Sequence, residues 1–214
     1  MVTNPNTGTA SGFGETLKQP LVFGGTATPV KTALFLLICA AWLLPGLVGH
    51  DPWKPDEAIA MGVVHAMLEN RDAFAWLLPQ IAGQPLTEYP PLYYWTAALF
   101  AALLGWVLPL HDAARLASGF FMLLTIVYLY KAANKLFDER AGRVAVALMI
   151  GSLGLLLRAH EMNPELGGLA GMSIAIYGLT RIRFEARKGA ATAAAGAIMI
   201  ALSVGLVQAM IVPA

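Results

Sequence analysis

Asp56 and Glu57 lie just past an apolar run, Thr32 to His50, that breaks at Asp51-Pro52-Trp53-Lys54-Pro55. A carboxylate where a membrane span meets water can take a proton from a hydroxyl or hold a metal while an apolar substrate lies in the lipid beside it. Two other polar stretches carry groups for the same chemistry. One is Gly83-Gln84-Pro85-Leu86-Thr87-Glu88-Tyr89-Pro90-Pro91-Leu92-Tyr93-Tyr94-Trp95, where a carboxylate precedes a double proline and an aromatic cluster suited to headgroup depth. The other is Arg158-Ala159-His160-Glu161-Met162-Asn163-Pro164-Glu165. His160 alone is more often a polar loop residue than a ligand or base.

The elements that must position these groups follow from composition. The chain is 57% hydrophobic and 13% charged, with a mean hydropathy of +0.64. A soluble domain is roughly half apolar and a quarter charged, so this reads as an integral membrane protein. A net charge of +1 gives no case for a nucleic-acid partner. The single cysteine, Cys39, sits in the first apolar run and excludes a disulfide framework.

Residues 1–29 are rich in Gly, Thr, Asn and Pro and read as a disordered cytoplasmic tail, not a cleaved signal peptide. Residues 30–214 form one transmembrane module. After the first span come apolar stretches at Pro91–Leu110, Leu116–Leu136, Val144–Leu157, Leu166–Leu179 and Ala190–Val212. If all of them crossed, ten of the fourteen cations would fall outside, against the positive-inside tendency. If Pro91–Leu110 dips in and returns, or lies along the interface, only Lys54, Arg71, Arg115 and Arg158 stay outside. The expected fold is all-α and polytopic: about five transmembrane helices plus a re-entrant or interfacial segment.

The loop from 50 to 92 is long enough to be functional, and within it Ala60, Val63, Val64, Met67 and Leu68 recur at helical spacing. Glu57, His65, Glu69 and Asp72 fall mostly on the opposite side, which predicts an amphipathic helix on the membrane surface. Asp56 stands at its amino terminus, where free N–H groups favour an anion, and Asp is also a preferred cap. Pro90-Pro91 blocks helix before it and can start one after it. Gly167, Gly168 and Gly171 allow close helix approach, and Arg181, Arg183, Arg187 and Lys188 read as a cytoplasmic anchor.

The acidic pair, the Gly83-x-Pro85…Glu88-x-Pro90-Pro91-Leu92-Tyr93-Tyr94-Trp95 string, Arg115-Leu116-Ala117-Ser118 and the third polar loop together resemble the amino-terminal part of lipid-dependent GT-C glycosyltransferases. The aminoarabinose (lipid A) transferases and protein O-mannosyltransferases look most similar. The resemblance implies inverting transfer of a sugar from a polyprenyl-phosphate donor to a glycolipid or protein acceptor, at the periplasmic face of a bacterial inner membrane. It implies Asp56 and Glu57 as catalytic carboxylates. Glu88, Tyr89, Tyr93, Tyr94, Arg115, Arg158 and His160 would be substrate contacts, and Glu88, Glu161 and Glu165 ligands of a divalent metal.

The chain departs from the family pattern at Ala58-Ile59-Ala60, at Tyr89 and at Ser203-Val204-Gly205, where cations are usual, and Asn163 stands near a usual aspartate. The alternative reading is a non-catalytic subunit that binds polyprenyl phosphate or glycolipid, or a truncated fragment.

Overall fold

A computed structural model describes residues 29–52, 55–69, 76–81, 84–85 and 90–203. The described chain is helical apart from one two-residue antiparallel ladder. Its elements are α1 (Pro29–Leu43), α2 (Pro55–Glu69), β1 (Gln80–Ile81), β2 (Gln84–Pro85), α3 (Pro91–Leu104) and α4 (Leu110–Leu136). They continue with α5 (Glu139–Ile150), α6 (Leu153–Arg158), α7 (Glu165–Ile182) and α8 (Ala186–Ser203). The tail assigned to residues 1–29 lies almost wholly outside the described residues.

Local chemistry sets the boundaries. Pro91 opens α3 at its first turn, with Pro90 extended before it. A proline there loses only an N–H that the helix would leave unpaired, so the double proline both ends the loop and starts the helix. Asp138 caps α5 by accepting the Ala141 N–H at 2.7 Å. The apolar stretch expected to run unbroken from Val144 to Leu157 is instead divided at Gly151-Ser152 into α5 and α6. α7 and α8 form a close hairpin, because Gly171 faces the carbonyl of Gly196 and Gly178 lies against the backbone of Ala193. Any side chain there would meet backbone, which cannot move aside cheaply.

Long-range contacts gather the helix ends into two groups. At one end Arg143 Nη2 donates to Thr32 Oγ1 at 3.0 Å, and Lys135 Nζ lies 4.3 Å from the Phe184 ring centre. The start of α1, the α4–α5 turn and the end of α7 are therefore together. At the other end Gly49 N–H donates to Asp112 and Glu57 pairs with Arg115. This joins the exit of α1, the start of α2 and the start of α4. Met162 N–H also reaches Glu57, which adds the loop between α6 and α7.

α3 doubles back beside the first part of α4: Tyr93 meets Ser118 and Phe121, while Gly105 lies by Leu110. Among the described residues one helix, α4, is long and apolar enough to cross a membrane, and the apolar helices Lys31–Leu43 and Pro91–Leu104 are shorter.

α2 departs from the sequence expectation. Ala60, Val63, Val64 and Met67 are buried at 0–1% exposure in the main core with Tyr93, Tyr94, Ala97 and Phe121, so their apolar face packs on protein. Glu57 shares that face at 1% exposure, because positions 57, 60, 64 and 67 align on a helix. His65 and Glu69 face outward and lie 3.6 Å apart, while Asp72 is outside the described residues.

Candidate active site

Adjacent helical residues point about 100° apart, and here that separates the acidic pair. Asp56 is exposed in the first turn of α2, whereas Glu57 turns into the protein. Glu57 Oε1 accepts Arg115 Nε at 2.9 Å and Met162 N–H at 3.2 Å. Arg115, wholly buried, also donates from Nη1 to Asp112 Oδ1 at 2.9 Å and to the His50 carbonyl at 3.1 Å. Asp112 Oδ2 accepts Gly49 N–H at 3.0 Å, and Gly49 adopts φ +94°, a conformation glycine takes without steric cost. His111 Nε2 lies 3.6 Å from both Asp51 and Asp112. One cation thus clamps three separate segments.

The clamp changes how two sequence candidates are read. Glu57, expected to be catalytic, has its reaching oxygen occupied by Arg115 and Met162 and is sealed from solvent. Arg115, expected to meet substrate, spends its charge on Glu57 and Asp112. Asp112, which α4 places one turn before Arg115, was not singled out from the sequence. Its signal was present in the spacing, since i and i+3 on a helix are neighbours.

A second linkage lies beneath the first. Tyr93 O–H donates to Ser118 Oγ at 2.7 Å, and the Ser118 hydroxyl donates onward to the Glu161 carbonyl. Burial pushes the Tyr93 phenol far above its usual range, so it remains a neutral donor. Tyr94 is buried beside it, with the two rings edge to face at 5.7 Å. Both tyrosines therefore face the core, not a substrate surface. The Arg115-Leu116-Ala117-Ser118 segment places its arginine in one linkage and its serine in the other.

His160 is structural in its contacts. Its Nε2 lies 2.8 Å from the Trp42 carbonyl and its Nδ1 3.1 Å from the Leu156 carbonyl, so both nitrogens face backbone and one of them donates in the neutral ring. It lines a cavity of about 440 Å³ with Trp42, His50 and Glu161. Arg158 remains accessible at 63% exposure, 3.6 Å from Glu165. The two residues border a separate cavity of about 510 Å³ with Asn163 and an apolar wall of Leu155, Leu166, Leu169 and Met172.

For a divalent metal, Glu161 and Glu165 line different cavities, and no group of three His, Cys, Asp or Glu is gathered among the described residues. Glu88 and Tyr89, the remaining candidates, lie outside the described residues.

Residues 88–202 match the family described as dolichyl-phosphate-mannose-protein mannosyltransferase. The chain belongs to this family. It is also similar to the undecaprenyl phosphate-alpha-4-amino-4-deoxy-L-arabinose arabinosyl transferase of Pseudomonas savastanoi pv. phaseolicola, 33% identical over 124 residues, 58% of this chain and 21% of that protein. The protein of the same name from Pseudomonas paraeruginosa is 31% identical over 124 residues, 58% of this chain and 22% of its own length. The matched stretch thus spans about a fifth of these relatives' length. No solved structure matches the chain.

Proposed function

We propose that the chain is the amino-terminal catalytic module of a glycosyltransferase that moves a sugar from a polyprenyl-phosphate donor to an acceptor hydroxyl, with inversion, at the outer face of a bacterial inner membrane. The observation that carries this reading is the division of the acidic pair. Glu57 is locked by Arg115 and fixes the first turn of α2, which leaves its neighbour Asp56 exposed on a rigid mount. A reactive carboxylate held by a buried partner loses little orientation when substrate arrives.

Asp56 then serves as the base that takes the acceptor proton, or orients the acceptor hydroxyl, as bond breaking at the anomeric carbon develops positive charge on the sugar. Glu57, Arg115 and Asp112 act as positioning residues. The departing lipid phosphate needs a cation. Arg158 supplies it at the rim of a cavity whose apolar wall suits an isoprenoid chain. Glu88 and Tyr89 are further substrate contacts in this reading.

The membrane reading is five crossings, by α1, α4, the α5–α6 pair, α7 and α8, with α2 and α3 at the outer interface. One feature supports it. The contacts that bring Thr32, Arg143, Lys135 and Phe184 to one end also collect most cations on that side, as the positive-inside tendency requires.

The test is transfer by the purified protein from undecaprenyl-phosphate-linked 4-amino-4-deoxy-L-arabinose and from polyprenyl-phosphate mannose. Asp56→Asn is expected to lower transfer by about 10²–10⁴-fold at unchanged melting temperature, the range for loss of a positioned base. Undiminished transfer by this variant refutes the assignment. Donor binding without transfer by the parent protein supports the alternative of a non-catalytic lipid-phosphate-binding subunit, a reading favoured by the internal use of Arg115.

A further inference from the structure

From the end of the molecule opposite Asp56, an apolar groove of about 490 Å³ runs between α1 and the later half of α4 toward the exit of α1. Cys39 and Ile126 form its buried floor, and Leu36, Leu44 and Leu123 stand exposed along its rims. Its charges are confined to one end, where Lys131 and Arg143 border it near Thr32, while Leu43 and Leu44 close the other. From Thr32 to Leu43 the groove follows about 16 Å of α1, close to the ~15 Å depth of one bilayer leaflet.

The two cations differ. Arg143 is already engaged by Glu139 at 2.6 Å and by Thr32 at 3.0 Å. Lys131 is exposed, lies 5.0 Å from the Tyr128 ring centre, and has no carboxylate partner among the described residues.

We propose that this groove binds one anionic glycerophospholipid, with an acyl chain along Cys39 and Ile126 and its headgroup phosphate on Lys131 beside Arg143. An uncharged groove would take any hydrocarbon chain. The cation at one end selects a negative headgroup and sets the direction in which the chain lies. The site depends on neither Asp56 nor transfer activity, so its test and that of the proposed reaction fail independently.

Cys39, the chain's only cysteine, reports occupancy directly. Detergent-solubilised full chain is titrated with dioleoylphosphatidylglycerol or dioleoylphosphatidylcholine, while reaction of Cys39 with N-ethylmaleimide and retained lipid are followed by native mass spectrometry. Phosphatidylglycerol is expected to slow labelling at concentrations about five-fold below those needed of phosphatidylcholine, one surface cation's worth of attraction. One lipid should be retained per chain.

Lys131→Gln should erase the preference between the two lipids. Ala40→Trp, which fills the groove, should remove lipid-dependent protection while the melting temperature is held. Equal protection by the two lipids, protection by inorganic phosphate alone, or protection that follows self-association on the mass scale would each overturn the proposal. So would Cys39 labelling that is unaffected by lipid.

Discussion

Arg115→Met should expose the energetic logic of the clamp. Arg115 and Glu57 are 0% and 1% exposed, so solvent screens the pair little, and the substitution strands Glu57 with only the Met162 N–H and weakens the support of Asp112. Breaking a buried pair from one side costs about 3–5 kcal/mol.

In a chain of this size that corresponds to a melting temperature roughly 10 °C lower, measured by tryptophan fluorescence in detergent at pH 7. The double substitution Glu57→Gln with Arg115→Met removes both charges and should recover most of the loss, since neutral replacement of a buried pair is often nearly neutral. A melting temperature within a degree of the parent, or a double variant no better than the single one, would refute the reasoning.

Other expectations use the same thermal measurement. Gly49→Ala should cost about 1–2 kcal/mol through backbone strain alone, because φ is +94° and a Cβ there meets nothing within 4 Å; an unchanged melting temperature would contradict the turn. Ser118→Ala should destabilise by about 1–3 kcal/mol, since it removes the acceptor of the buried Tyr93 O–H, whereas Tyr93→Phe should cost about 1 kcal/mol because Ser118 still donates to Glu161. The reverse order would show that the relay runs otherwise.

Much of the helical plan is legible along the chain because it is local. Pro90-Pro91 starts α3 through proline's fixed φ and missing N–H, and the glycines of α7 mark where α8 approaches. The short apolar spacing of Ala60, Val63, Val64 and Met67 gives α2, but the same amphipathic pattern serves a lipid surface and a protein core equally well. Only the packing of Tyr93, Tyr94 and Phe121 against it decides for the core. The break at Gly151-Ser152 was hidden for a related reason: hydropathy is continuous across it while the backbone is not.

By itself the sequence determined the helical class and the family, since apolar composition, the acidic pair and the Pro-Pro string are properties of adjacent residues. It could not tell the two carboxylates of that pair apart. Asp56 and Glu57 are equivalent as neighbours in a chain, and Glu57 was placed with the polar face by residue type. The partners that separate them are Arg115, 58 positions away, and Met162, 105 positions away. A buried carboxylate is stable only where such partners meet it, and that meeting is a property of the tertiary fold.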